Sequence, residues 1–108
     1  MTNNKYILFF LIMKTIFDLA QVITKVPHPF INSSLTELGI VTDIDLEDNM
    51  VSLVFAWPFP DIPIRDQLIE SIEKVVSNMG FNLQYTERIM TTAEKNDFLI
   101  LEKKGWKG

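Results

Sequence analysis

No cysteine occurs among the 108 residues. The chain therefore forms no disulfide, offers no thiolate nucleophile, and holds no zinc ion or iron–sulfur cluster through thiolates of its own. Its single histidine is His28, so a transition-metal site made by this chain alone would rest mainly on carboxylates. Positive charge is also scarce. Ten Lys and Arg stand against fourteen Asp and Glu, giving a formal net charge of −4, and the basic residues are scattered apart from Lys103-Lys104. Nucleic acid and anionic membrane are thereby disfavoured as main partners, since either needs a basic patch that releases counterions. With four glycines, the chain has no Gly-rich phosphate loop, and it contains neither a GxSxG elbow nor an HExxH helix. The unbroken apolar run Tyr6–Met13 is too short to span a membrane. It resembles a signal-peptide core but lacks the small-residue cleavage pattern that follows one, so a cytoplasmic protein is expected. Residues 1–12 read as an apolar extension, and Met13 as an alternative start of a single domain over 13–108.

What is present is apolar. A hydrophobic content of 47% excludes general disorder, and the length suits one modest core. The chain is organised around Phe55–Ile69, where a strand ends, three prolines follow within six residues, and a helix begins. Pro58, Pro60 and Pro63 fix φ and push the preceding residues out of the helical region, so the loop is expected to be stiff. Asp61 is placed to cap the following helix, with Pro63 in its first turn. Trp57 and Phe59 read either as a hydrophobic plug or as a contact surface carried by the loop.

Apolar residues at Ile16, Phe17, Leu19, Ala20, Val22 and Ile23 form one helical face over 14–25. Pro27 and Pro29 end that helix and hold His28 extended between them. Ser34 and Glu37 have capping-box spacing. Ile40, Thr42, Ile44 and Leu46 alternate with Val41, Asp43 and Asp45 in a strand over Leu38–Leu46. Asp48-Asn49 then turns the chain into a more apolar strand over Met50–Trp57. Ile64, Leu68, Ile69, Ile72, Val75, Val76 and Met79 form the stripe of a helix over 63–79, which Gly80 terminates. A third strand covers Asn82–Met90. Thr91 and Glu94, again at capping-box spacing, open a closing helix over 93–104. Trp106 is either pinned to the body or an exposed contact. The expected fold is a two-layer α/β sandwich, α-β-β-α-β plus a C-terminal helix, with a three-stranded sheet and helices on one face.

Six residues are candidates for binding: His28, Glu37, Trp57, Phe59, Asp61 and Arg65. His28 is the one side chain whose ordinary pKa lies near neutrality. Asp61 and Arg65 flank the start of the second long helix, where carboxylates also serve as dipole partners and arginines as surface ion pairs. The acidic group Asp43, Asp45, Glu47 and Asp48 lacks the calcium-hand pattern and reads as a solvated face. No catalytic residue, metal site or cofactor is assigned.

Two segments carry a family resemblance. Val26-Pro27-His28-Pro29-Phe30-Ile31, with Leu35-Thr36-Glu37-Leu38-Gly39-Ile40-Val41, is similar to the Asp-Pro-Glu segment and the Asp-Leu-Gly-Leu-Val strand entry of the iron–sulfur cluster assembly domain family, of the SufT and PaaD type. Phe55–Asp66 stands where that family has a strand end, a Cys-Pro and the next helix. The resemblance covers roughly Met13 to Ile89. It implies that Ile62, before Pro63, takes the place of the family's reactive cysteine, that His28 replaces its aspartate and that Phe30 replaces its glutamate. A divergent member that neither binds nor transfers a cluster through its own thiolate is implied. It would be a non-enzymatic accessory or adaptor meeting a protein partner, such as the assembly machinery, through Trp57, Phe59 and the helix N-terminus. One alternative is a small enzyme or ligand-binding protein with a pocket at His28, Glu37, Asp61 and Arg65. Another is a self-associating homo-oligomer that buries Tyr6–Met13 and Trp106.

Overall fold

The computed structural model describes residues 15–108. The run Tyr6–Met13, and the self-association reading that depends on it, lie outside them. Helix α1 covers 15–24, followed by strands β1 (Val41–Glu47) and β2 (Met50–Trp57), helix α2 (Arg65–Asn78), strand β3 (Asn82–Ile89) and helix α3 (Thr92–Gly105). This is the expected element order. The sheet order is β1-β2-β3, with β1 antiparallel to β2 and β2 parallel to β3. Asp48 takes the hairpin's left-handed conformation at φ 56°, a region that Asp tolerates better than most residues. The parallel pairing needs a crossover, and α2 supplies it.

Strand β2 is central, so its inward residues are the best covered: Val51, Leu53, Phe55 and Trp57 are all buried. Phe55 stacks on Trp57 with ring centroids 5.4 Å apart and meets the edge of Tyr85 at 5.2 Å. Leu19 and Ile23 of α1, and Leu68, Ile69, Ile72 and Val76 of α2, close over this face. Each such side chain contributes about 1.5–3 kcal/mol through burial. The other face carries Ser52, Val54, Gln84, Thr86 and Arg88, which are half-buried or exposed. The helices thus cover one face of the sheet.

Strand β1 departs from simple alternation. Thr42 pairs with Val54 and Asp45 with Ser52, so Asp43 and Ile44 together oppose Leu53 in a bulge, with Asp43 at φ 54°. The extra residue re-phases the strand. Val41, opposite Phe55, and Leu46, opposite Val51, then face the same core despite their odd spacing. Val41, rather than Thr42, is the buried residue at the strand's start. The strand also begins later than expected, because Ser34–Gly39 forms a capped turn. The Glu37 amide donates to Ser34 Oγ and the Ser34 amide to Glu37 Oε1, and Gly39 leaves at φ 77°.

Helix α2 starts at Arg65, with Ile64 as its N-cap and no side-chain cap. The cap expected of Asp61 is not made. Pro63 lies outside the helix, and the Ile62 carbonyl accepts from the Arg65 amide at 3.0 Å. Gly80, at φ 84°, ends the helix as expected. The Thr91–Glu94 capping box of α3 is complete.

Candidate functional site: a cavity between the proline loops

Two proline loops and the end of α3 meet beyond the C-terminal end of β2 and enclose a cavity of about 280 Å³. One wall is His28, Phe30 and Ile31 from the first loop. The second runs from Trp57 to Ile64 along the other loop, and α3 with its tail adds Phe98, Glu102 and Trp106. The volume is near the lower end of the range of small-molecule sites, roughly 300–1,000 Å³. The lining is almost wholly apolar, and its ionisable side chains are His28 and Glu102.

Local chemistry fixes each wall. Pro27 and Pro29 keep the first loop extended, and the Phe30 amide donates to His28 Nδ1 at 3.0 Å. That bond requires a lone pair on Nδ1, so the neutral ring carries its proton on Nε2. Burial and, after it, the charge of Lys107 lower the His28 pKa, in the same sense as the geometry. His28 is only 6% exposed. Its Nε2–H has no protein acceptor, and no fully buried side-chain N or O lacks a partner among the described residues. Nε2 is therefore not sealed from solvent, and the His28 ring is part of the cavity wall.

The chain's tail clasps the first loop. The Asn32 amide donates to the Gly105 carbonyl at 2.7 Å, and the Lys107 amide to the Phe30 carbonyl at 2.9 Å. A Cβ on Gly105 would lie 3.0 Å from the Asn32 nitrogen and 3.3 Å from Ile31 Cγ2, so the close approach depends on glycine. The clasp pins the backbone of Trp106, as one of the two alternatives for this residue expected, and leaves its ring exposed. Phe30, Phe59 and Trp106 are 44%, 38% and 57% exposed and stand around the cavity as an aromatic rim. Phe30 and Trp106 have ring centroids 6.3 Å apart, and the Lys95 ammonium sits 4.5 Å from the Phe59 ring centre.

Of the six candidate residues, His28, Trp57 and Phe59 line this cavity. Glu37 does not. It is tied into its capping box, its pKa is lowered by the Ser34 backbone and side-chain bonds, and it borders a separate depression with Ser34, Asn32 and Lys107. Asp61 is exposed and is not part of the cavity wall. Arg65 lies on the outside of the proline corner, where its Nε and Nη2 donate to Glu87 Oε1 and Oε2 at 2.6 Å each and a further bond reaches Asp66. Glu87 also accepts from Trp57 Nε1 at 3.0 Å. Hydrogen bonding from Arg65 holds the Glu87 carboxyl below the usual range, and bonding to Glu87 raises Arg65 further. Arg65 braces the corner; the four-residue pocket of His28, Glu37, Asp61 and Arg65 is not assembled around one cavity. Among the lining residues that sequence reasoning left out of the site are Phe30, Phe98, Glu102 and Trp106. The signal for two of them was an aromatic beside a loop breaker, in Pro29-Phe30 and Gly105-Trp106.

A family model described as iron-sulfur cluster assembly protein matches residues 18–80. Among solved structures, the crystal structure of a domain of unknown function, DUF59, from Bacillus anthracis is similar, with a TM-score of 0.55 and 16% identity over 82% of this chain and 94% of that one. At that identity the likeness shows the fold. No curated protein matches this chain. Helix α3 and its tail, which supply one wall of the cavity, lie beyond the span of the family match. With more than half of its length matched by the family model, in the order and fold described above, the chain belongs to the iron–sulfur cluster assembly protein family.

Proposed function

We propose that this protein is a non-enzymatic accessory of iron–sulfur cluster assembly that works in the cytoplasm through protein contacts made at the aromatic-rimmed cavity. The observation that supports this reading is an apolar cavity with an exposed aromatic rim at the position where the resemblance puts the family's cysteine. Ile62, which the resemblance aligns with the family's cysteine, lines a cavity bordered by Phe30, Phe59 and Trp106. Exposed aromatic rings grouped around an apolar depression are the usual make-up of a protein-binding hot spot. The residues present do not fit a cluster as cargo. The chain has no cysteine, and the described residues contain no group of three His, Cys, Asp or Glu able to hold a metal. No helix among the described residues is long and apolar enough to cross a membrane.

The test has two arms. In the first, the full-length protein is treated anaerobically with iron and sulfide and weighed by native mass spectrometry; the expected species is the bare polypeptide, and a stoichiometric cluster on the protein alone would contradict the reading. In the second, the tagged chain is recovered from its own cells and the bound proteins identified. Cluster-assembly proteins should accompany the wild type and be lost from the Phe59→Ser, Trp106→Ser double variant. Equal recovery with both would refute the assigned surface.

A further inference from the structure

We propose that the cavity receives one apolar side chain, aromatic or branched, carried on an uncharged stretch of a partner's backbone, whose carbonyl oxygen accepts from His28 Nε2–H. This deepens the protein-contact reading and rests on it. Two independent features point to the occupant's chemistry. The first is the imidazole. With Nδ1 occupied by the Phe30 amide, the neutral ring presents a single N–H donor from a residue only 6% exposed, and an occupant that takes the place of water at this donor, in an otherwise apolar wall, has to bring an acceptor for it. The second is the charge of the lining. It holds no lysine or arginine and includes the carboxylate of Glu102, so an anionic occupant would meet like charge, whereas the N–H of a peptide group is tolerated. A carbonyl and an N–H beside an apolar group describe a backbone unit with its side chain.

The rim argues for a macromolecule rather than a free metabolite. A compound filling about 280 Å³ would occupy the floor and leave much of the exposed Phe30, Phe59 and Trp106 rings in water. A peptide segment seated by one anchor also runs over the rim, as hot-spot contacts do.

Capped amino acids are the direct probes. The full-length protein, with isotopic nitrogen, is titrated with N-acetylphenylalaninamide, N-acetylleucinamide, N-acetylphenylalanine and N-acetylglycinamide while the Trp57 and Trp106 indole and His28 ring signals are followed. The expected result is saturable shifts with the first two, with dissociation constants on the order of 1 mM. Binding should be at least tenfold weaker for N-acetylphenylalanine, which brings a carboxylate, and for N-acetylglycinamide, which has no anchor. His28→Phe retains the filling and removes the donor; with its fold verified by its melting transition and spectrum, it should weaken N-acetylphenylalaninamide at least fivefold. The absence of saturable shifts with both anchored amides, equal affinity for the carboxylate probe, or undiminished affinity in folded His28→Phe would each overturn the inference. The two readings fail separately: an identified cluster-assembly partner that is lost with Trp106→Ser but held equally by His28→Phe would keep the contact surface and remove the anchor.

Discussion

The two proline loops that face each other across the cavity are made stiff in different ways. The first, around Pro27–Ile31, is held by hydrogen bonds: His28 N–H to the Ser33 carbonyl, Phe30 N–H to His28 Nδ1, and the two bonds of the C-terminal clasp. The second, from Trp57 to Ile64, is secured at its ends, by the Met90 amide on the Trp57 carbonyl and the Arg65 amide on the Ile62 carbonyl. Between those ends its three prolines restrict the backbone directly. One wall therefore depends on distant parts of the chain, and the other largely on its own covalent structure. Damage to the tail should disturb the first wall and spare the second.

The largest effect is expected from His28→Ala, which empties buried volume and removes the acceptor of the Phe30 amide. It should cost about 2–3 kcal/mol and lower the melting temperature by roughly 10 °C or more, with hydrogen exchange accelerated at Phe30 and Asn32 rather than at Ile64. Gly105→Val drives a side chain into the Asn32 backbone and should cost about 1–3 kcal/mol. It should also move the Trp106 fluorescence while leaving the Trp57 indole, held by Glu87, unchanged in an NMR spectrum. Pro60→Ala acts on the other wall. It enlarges the freedom of the unfolded chain and should cost only about 0.4–1 kcal/mol in a denaturant melt, without loosening the clasp.

Titration sharpens the same contrast with smaller effects. The folded-state pKa of His28 is lowered from 6.5, so the unfolded chain takes up its proton first as pH falls. Its stability contribution is complete above about pH 6.5 and is lost as pH falls from there through the lower folded value. His28→Phe should flatten that segment of a stability profile. The Glu94 carboxyl is brought down to about 2, first by Arg88 and then by the Thr91 amide. Its contribution is present above its ordinary value of 4.5 and is lost between there and about pH 2. Glu94→Gln should flatten this acid segment alone and loosen the start of α3, far from the first loop.

The parts of the fold legible in the sequence were those governed by short-range rules. The α2 stripe, its Gly80 terminator and the Ser34–Glu37 and Thr91–Glu94 capping boxes each depend on residues within a few positions of one another. The bulge at Asp43 was hidden, because it is defined by which residues of β2 lie opposite, and a period-two pattern permits either phase. Asp61 has the right chemistry for a cap, but Pro63 and Ile64 intervene before the helix starts at Arg65. At the site, His28, Trp57 and Phe59 could be found because the prolines draw attention to them. Phe98, Glu102 and Trp106 could not, since their approach depends on contacts distant in sequence, among them the burial of Phe98 in the core and the backbone pairing of Gly105 and Lys107 with Asn32 and Phe30. Arg65 and Glu37 were legible as charged residues near the loops; the partners that occupy them, Glu87 from β3 and the Ser34 amide, were visible only in the second case.

The central claim is that partner contact occurs at the rim of this cavity, and site-specific photocrosslinking tests it most directly. A benzophenone side chain introduced at Phe59 should, in cells, join the full-length protein to a cluster-assembly polypeptide, and the added substitution Trp106→Ser should abolish the product. The same group at Thr86, on the solvated face of β3, should yield none. Crosslinks of equal yield from both positions, or a product at Phe59 indifferent to Trp106→Ser, would contradict the account.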